Sequence, residues 1–466
     1  MFPKFRVDAP AFAGNPRGGF LPSSDALFID GPLLKQIERR ADDVDLRVDA
    51  EPRLQVFDSA MVALLDHQRL AHSPVSISPY ILAPFEHKIP HNMTHAAITG
   101  WGEGLPPAVL SNHDLSTFLE TSDDWITTRT GMKERRISHV SAIEMATIAS
   151  ARALACAGLA AADVDLIIYG GCSNDEAVPN SASGVQVALG ATNAAAMDLN
   201  TACTSFIYGL SAATAMIQNG TIRSAVVIGV ELISRYMDWS NRNVAVLFGD
   251  GAAAVVVQAT DRPEGVIGSV LGCDAGSRQV LRVRGIGCAY AGQGVTFGDT
   301  VWDFDGQAIF KRAVKGMSDA CERVMRQAGV GGDQIDLVIP HQANLRIIEA
   351  VAKQSGIPMD RVIVTVQQYG NMSAATVPVS LVEALTGGRV TPGSLLLMPG
   401  FGGGLTFGAL LVRWGQRVTP LGASTAAFPN NPRTALEMVN AIRAEQDPHG
   451  RSSAGLAAPV FAESRL

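Results

Sequence analysis

The sequence predicts an α/β protein made of two duplicated halves, each with a mixed sheet, packed about a pseudo-twofold axis. Three observations predict it. From Met93 to Trp414, apolar runs of strand length alternate with segments of helical periodicity. A pattern running from Gly158 through Asp163 to Ile168 returns as Gly329 through Asp333 to Ile339. Each copy is followed by a loop, a strand, a conspicuous polar residue and a helix: Cys203 in the first, Asn371 in the second. Further strands, Ser224 to Val230 and Ser394 to Met398, lead to glycine-rich hairpins at Phe248 to Gly251 and Gly400 to Gly404. Four resemblances in matching order indicate duplication.

Residues 1–92 stand apart as an N-terminal extension. They hold ten of the 24 prolines, and only Leu33 to Ala41 and Leu54 to Leu70 have helical character, so a partly disordered arm is expected. Residues 93–265 form the first half and 266–414 the second. Residues 415–466 form a tail rich in Ala, Pro and Ser with one helix, Thr434 to Glu445. In the first half, Ala96 to Trp101 reads as a strand running into a glycine turn. The runs Leu166 to Ile168 and Leu337 to Ile339 are apolar throughout, as strands buried on both faces are.

The chain has 466 residues with a net charge of −7 and a pI near 5.7, which argues against a general nucleic-acid binder. No apolar run reaches the ~18 residues of a membrane span, and no signal-peptide core is evident near the N-terminus. The six cysteines are scattered without a CxxC pair. That pattern fits a reducing cytosol and no structural zinc.

Cys203 lies between the apolar approach Ala194 to Met197 and a helix marked by Phe206, Leu210, Ala213 and Ile217. Such a strand-to-helix turn offers free backbone N–H groups and the positive end of a helix dipole, which favour a thiolate nucleophile. The bland reading is a small buried core cysteine. The duplication brings the two special turns together across the axis, so Cys203 and Asn371 share one site at equivalent places although 168 residues apart. His341 ends the second repeat's strand, where open α/β sheets place ligands. A cysteine can accept an acyl group from a thioester. His341 and Asn371 can donate two N–H groups to an enolate oxygen formed when a malonyl thioester loses carbon dioxide. Gly402 to Gly404 allow close backbone approach, and one of them with the Cys203 N–H can form an oxyanion hole. A protease-like Cys–His pair has the same composition, but the repeat argues against it.

Four groups of residues carry a resemblance beyond this. They are Glu120 to Gly131 (ETSDDWITTRTG), Leu247 to Ala252 (LFGDGA), the pair Pro340 to Asn344 (PHQAN) with Tyr369 to Ala375 (YGNMSAA), and Gly400 to Gly408 (GFGGGLTFG). With them, residues 93–414 resemble β-ketoacyl-acyl-carrier-protein synthase III, the initiating condensing enzyme of type II fatty acid synthesis. The resemblance implies the thiolase fold, with mixed five-stranded sheets in an αβαβα layering. It implies an acyltransferase that condenses an acyl-CoA primer with malonyl-acyl carrier protein, needs no cofactor or metal, and works as a cytoplasmic homodimer. Cys203, His341 and Asn371 then match the catalytic set, and Gly403 with Cys203 the oxyanion donors. Trp125, Arg129, Arg242, Gly306 and Gln307 match the coenzyme A site, and Arg346 and Lys311 the carrier-protein docking face. Val178 and Phe310 match the primer pocket. Two departures stand out. Many members carry Gly where this chain has Ser205, and some carry Phe where it has Val178, a residue that reaches into the partner subunit's acyl pocket. The alternatives are a specialised-metabolite ketide synthase or acyltransferase on the same fold, and a non-catalytic carrier-protein partner.

Overall fold

The computed structural model describes residues 94–285 and 300–446. The expected short helices at Leu33 to Ala41 and Leu54 to Leu70 lie outside the described residues, as does Cys288. Among the described residues thirteen strands follow in chain order. The first half holds β1 (His95–Gly104), β2 (Ala108–Ser111), β3 (Glu134–Ile137), β4 (Leu166–Gly170), β5 (Ala195–Leu199), β6 (Ser224–Glu231) and β7 (Gly251–Thr260). The second holds β8 (Gly265–Cys273), β9 (Leu281–Arg284), β10 (Val301–Phe304), β11 (Leu337–Val338), β12 (Leu395–Gly402) and β13 (Thr406–Arg413).

The two main sheets have one topology. The first is ordered β1-β7-β6-β4-β5 and the second, read the same way, β8-β13-β12-β11. In both, the two outer pairings are antiparallel and the next is parallel. The second sheet has four strands, not the expected five. The place of β5 is taken by a single parallel bridge between Val338 and Val362. The segment turns away there because the Gln342 side-chain oxygen accepts the backbone N–H groups of Thr365 and Val366. The first glycine-rich segment also differs from expectation. Residues 232–250 lie between β6 and β7, so only β12–β13 is a tight hairpin.

Strand alternation builds the layers. On β6, Ala225 and Val227 join Phe206, Leu210 and Ile217 in a central apolar cluster. Val226, Ile228 and Val230 point the other way, into a cluster with Met145, Ala149 and Ala153 of the helix Ala142–Ala157. On β12, Leu396 and Met398 face the centre, while Leu395 and Leu397 join Met317 and Val324 of the helix Gly306–Ala328. Between the sheets lie the helices Ser205–Gln218 and Thr376–Thr386, giving the five-layer αβαβα stack. The repeated glycines have a common cause. Gly158 and Gly329 close the helices Ala142–Ala157 and Gly306–Ala328 at φ +66° and +67°, a left-handed cap that suits glycine.

The tail is tied to the first half. Arg417 donates to the carbonyls of Thr99 and Ala157, and Arg152 donates to that of Ala426. A helix follows at Ala435–Gln446, where the sequence predicts Thr434 to Glu445. It buries Met438, Val439 and Ile442.

Glycine spacing sets how closely the halves approach. A Cβ on Gly229 of β6 would lie 2.3 Å from the Ala374 carbonyl oxygen. Gly229→Ala should therefore cost about 1–3 kcal/mol by overpacking. Gly190, at φ +69° with open space around it, should cost only about 1 kcal/mol on the same change. Urea unfolding of both variants compares them, and equal midpoints would refute this account of the interface.

Candidate active site

Two three-residue turns meet at the centre of the stack. One, Ala202–Thr204, precedes the helix Ser205–Gln218, and the other, Ser373–Ala375, precedes the helix Thr376–Thr386. Ala202 and Ser373 have φ +50° and +47°, the only described non-glycine residues with positive φ. Their turns are built alike. Asn200 Oδ1 accepts from the Ala202 N–H at 3.1 Å, and Asn371 Oδ1 from the Ser373 N–H at 2.8 Å. Ser205 Oγ donates to the Ala202 carbonyl at 2.7 Å, and Thr376 Oγ1 lies 2.9 Å from that of Ser373. These bonds offset the roughly 1–2 kcal/mol that a left-handed residue costs. The equivalences are thus Asn200 with Asn371, Ala202 with Ser373, and Cys203 with Ala374. This corrects the expectation that Cys203 and Asn371 are symmetry mates. They share the site because the turns face each other, with Asn371 entering from three residues before the mate of Cys203.

The construction aims the polar groups. Because Asn371 Oδ1 is held by Ser373, its NH₂ is the end left for a ligand. The Asn371 backbone is clamped to Leu247 and Gly249 in a parallel bridge beside Phe248. His341 follows β11, its N–H donating to the Pro399 carbonyl at 2.9 Å. Its Nδ1 lies 2.6 Å from Thr376 Oγ1. Burial alone holds the His341 pKa down to about 3, so the ring is neutral. The single Thr376 hydroxyl hydrogen then sets the tautomer. Directed at Ser373, it leaves Nδ1 protonated. Turned to Nδ1, it makes Nε2–H a donor.

Cys203, His341 and Asn371 line one cavity of about 750 Å³ and are 8, 2 and 6% exposed. The Cys203 thiol departs from expectation. Burial pushes its pKa up to about 12 and the Glu231 carboxylate adds to this. A hydrogen bond from Ser373 and the N–H groups of Cys203 and Gly403 act the other way. The helix dipole, equivalent to about half a charge, does not outweigh the loss of water.

Of the other expected positions, Trp125, Arg129, Gly306 and Gln307 line the same cavity, with Phe310, Lys311 and Arg346. The guanidinium carbons of Arg129 and Arg242 lie 4.5 and 4.9 Å from the Trp125 ring centre. A base stacked between Trp125 and Arg242 requires roughly 7 Å between them, more than the 4.9 Å found, so Arg242 has to swing aside to admit one. Val178 does not line the cavity of its own chain and is 87% exposed. Ser205, the departure from glycine, serves the turn: its Oγ accepts from the Thr201 N–H while donating to Ala202. Sequence reasoning missed Ser373, Thr376 and Glu231. Ser373 lies inside a quoted motif, and Glu231 is a carboxylate ending an otherwise apolar strand.

The chain is similar to proteins already known. Residues 197–275 match the family model of 3-oxoacyl-(acyl-carrier-protein) synthase III, and residues 325–414 match that of its C-terminal part. A β-ketoacyl-(acyl-carrier-protein) synthase III 2 of Vibrio cholerae serotype O1 is 51% identical over 346 residues, covering 74% of this chain and 96% of that protein. The synthase III of Roseiflexus castenholzii is 44% identical over 68% of this chain and 98% of its own. The crystal structure of the Aquifex aeolicus enzyme superposes with a TM-score of 0.64 at 40% identity, covering 68% of this chain and all of that one. A chain with this duplicated stack, this pair of facing turns and these relatives belongs to the 3-oxoacyl-(acyl-carrier-protein) synthase III family.

Proposed function

We propose that the chain catalyses the decarboxylative condensation of an acyl-CoA primer with malonyl-acyl carrier protein. The products are 3-oxoacyl-acyl carrier protein, carbon dioxide and CoA, and the reaction initiates fatty acid biosynthesis. The observation that carries this reading is the convergence of Cys203, His341 and Asn371 on one cavity whose walls include Trp125, Arg129, Lys311 and Arg346. In the first half-reaction Cys203 Sγ bonds to the acyl carbon and the CoA sulfur leaves. The backbone N–H groups of Cys203 and Gly403 supply the oxyanion hole. In the second, the Asn371 NH₂ and His341 Nε2–H hold the enolate oxygen as carbon dioxide departs, which calls for the Thr376 hydroxyl turned toward Nδ1. The enolate carbon then attacks the acyl group and Cys203 leaves.

Trp125, Arg129 and Arg242 are the adenine and phosphate contacts, with Gly306 and Gln307 beside the pantetheine arm. Lys311 and Arg346, both exposed, face the acidic carrier protein. The exposed Val178 completes the partner's primer pocket in a homodimer. The reaction requires no cofactor beyond the two thioesters. No helix among the described residues is long and apolar enough to cross a membrane, and a cytoplasmic site of action fits this.

Cys203→Ala should abolish the acyl-enzyme while leaving malonyl decarboxylation measurable. His341→Ala and Asn371→Ala should each retain the acylation burst and lose condensation by about a hundredfold or more. Rapid-quench measurement of CoA release separates these outcomes, and loss of the burst in both donor variants would refute the division of roles. Because His341 stays neutral down to about pH 3, wild-type decarboxylation should show no histidine titration between roughly pH 5 and 8.

Val178→Phe adds a ring to the proposed partner pocket. The change is expected to shift kcat/KM toward acetyl-CoA and away from octanoyl-CoA by roughly ten- to a hundredfold. An acyl-CoA panel on both proteins tests this. An unchanged profile would assign primer choice to Phe304 and Phe310, which line the cavity from the chain itself.

A further inference from the structure

Behind the nucleophile, away from the cavity, runs a closed line of hydrogen bonds. Ser373 Oγ lies 3.2 Å from Cys203 Sγ and 2.8 Å from Glu231 Oε1. Glu231 is fully buried at the end of β6, and Ser373 is 1% exposed. The carboxylate is surrounded by donors. Ser173 Oγ accepts the Leu232 N–H at 2.7 Å, so its own hydrogen goes to Glu231 Oε2. The Cys172 N–H lies 3.2 Å from Oε1 and its thiol 3.4 Å from both carboxylate oxygens. A carboxylate facing only donors is an acceptor, and one site on it is aimed through a single hydroxyl at the reacting sulfur.

We propose that Ser373 and Glu231 form a proton relay for Cys203. The one Ser373 hydrogen can reach either Cys203 Sγ or Glu231 Oε1; in the relay it is donated to Glu231 Oε1, which leaves the Ser373 oxygen to accept the Cys203 S–H. As Sγ bonds to the acyl carbon, the thiol proton passes to Ser373 Oγ and the Ser373 proton passes to Glu231. The CoA sulfur leaves as a thiolate and takes a proton from water. When the 3-oxoacyl product departs in the second half-reaction, the Cys203 sulfur is released as a thiolate. Glu231 then returns the proton through Ser373, so the relay ends each cycle as it began. Glu231 acts through Ser373, not on the sulfur itself.

The electrostatics call for such a route. A thiol held protonated by burial and a neighbouring carboxylate cannot wait as a thiolate, so its proton has to leave as the bond forms. The titratable groups facing Glu231 are Cys172, Tyr236, Tyr169 and Cys203, all raised by burial and therefore neutral. Burial raises Glu231 above the ordinary carboxylate range, while the hydrogen bonds from Ser173, Ser373 and Cys172 act the other way.

The relay rests on the acyl-transfer reading, and the test separates the two. Ser373→Ala is the first variant, because Ala202 shows that alanine is accepted in this left-handed position of the twin turn. Glu231→Gln is the second. Iodoacetamide alkylation of Cys203 and the burst of CoA from acetyl- and butyryl-CoA are followed from about pH 6 to 9, with malonyl-CoA decarboxylation as the measure of an intact cavity. Both variants should lose about a hundredfold in alkylation and burst rate near pH 7 and regain roughly tenfold per pH unit above it. Decarboxylation should change less than about threefold. Wild-type rates and pH profile in either variant would overturn the relay, as would acylation and decarboxylation falling together with no change of profile. A wild type that gives no burst with any acyl-CoA would instead overturn the functional reading, and the alkylation rates would still decide the relay.

Discussion

The structure depends on the contact, across the pseudo-twofold axis, between two turns that each open on a left-handed residue. Each is fixed by an Asn at its start and a hydroxyl at its end, and each is pressed against glycines of a sheet. Gly229 receives the Ala374 carbonyl. On the other side, a Cβ on Gly402 would stand 2.8 Å from the Cys203 nitrogen. That proximity brings the Cys203 and Gly403 N–H groups to one sulfur, and it withdraws most of the cysteine's surface from water. The raised thiol and the buried Glu231 follow from the same closeness.

The duplication was readable because it rests on backbone needs. Gly158 and Gly329 cap helices, and the apolar runs of β4, β6 and β12 have no solvent face. These constraints act locally and leave a repeating trace. The two-halved architecture followed from them, and the five-layer order came with the family resemblance. What was not readable depended on register across the axis. The pairing of Cys203 with Asn371 came from prominence in the sequence. The true mates, Cys203 with Ala374 and Asn371 with Asn200, are defined by φ angles and by side-chain bonds to neighbouring backbone. The fifth strand of the second sheet was lost to the Gln342 side chain, which no periodicity reveals.

The site divided in the same way. His341, Asn371 and the residues of the cavity wall sit where motifs end strands or open helices, so position predicted placement. The state of the thiol did not follow from position. A cysteine beside a helix N-terminus reads as activated until its burial is known, and burial comes from β12 in the opposite half. Ser373, Thr376 and Glu231 escaped notice for a related reason: each is a common residue whose importance lies in the one atom it faces.

The rigidity of the facing turns has a kinetic corollary. Cys203, His341 and Asn371 ride on backbone locked between two sheets, so none of them can retreat to admit or release a long thioester. The freedom to move belongs to the rim, where Arg242 leans on Trp125 and where Gly306 and Gln307 open a helix at the surface. Traffic through the cavity and bond-making at its floor are therefore separately tunable. Changes at the rim can alter how fast substrates come and go while the chemistry below keeps its pace.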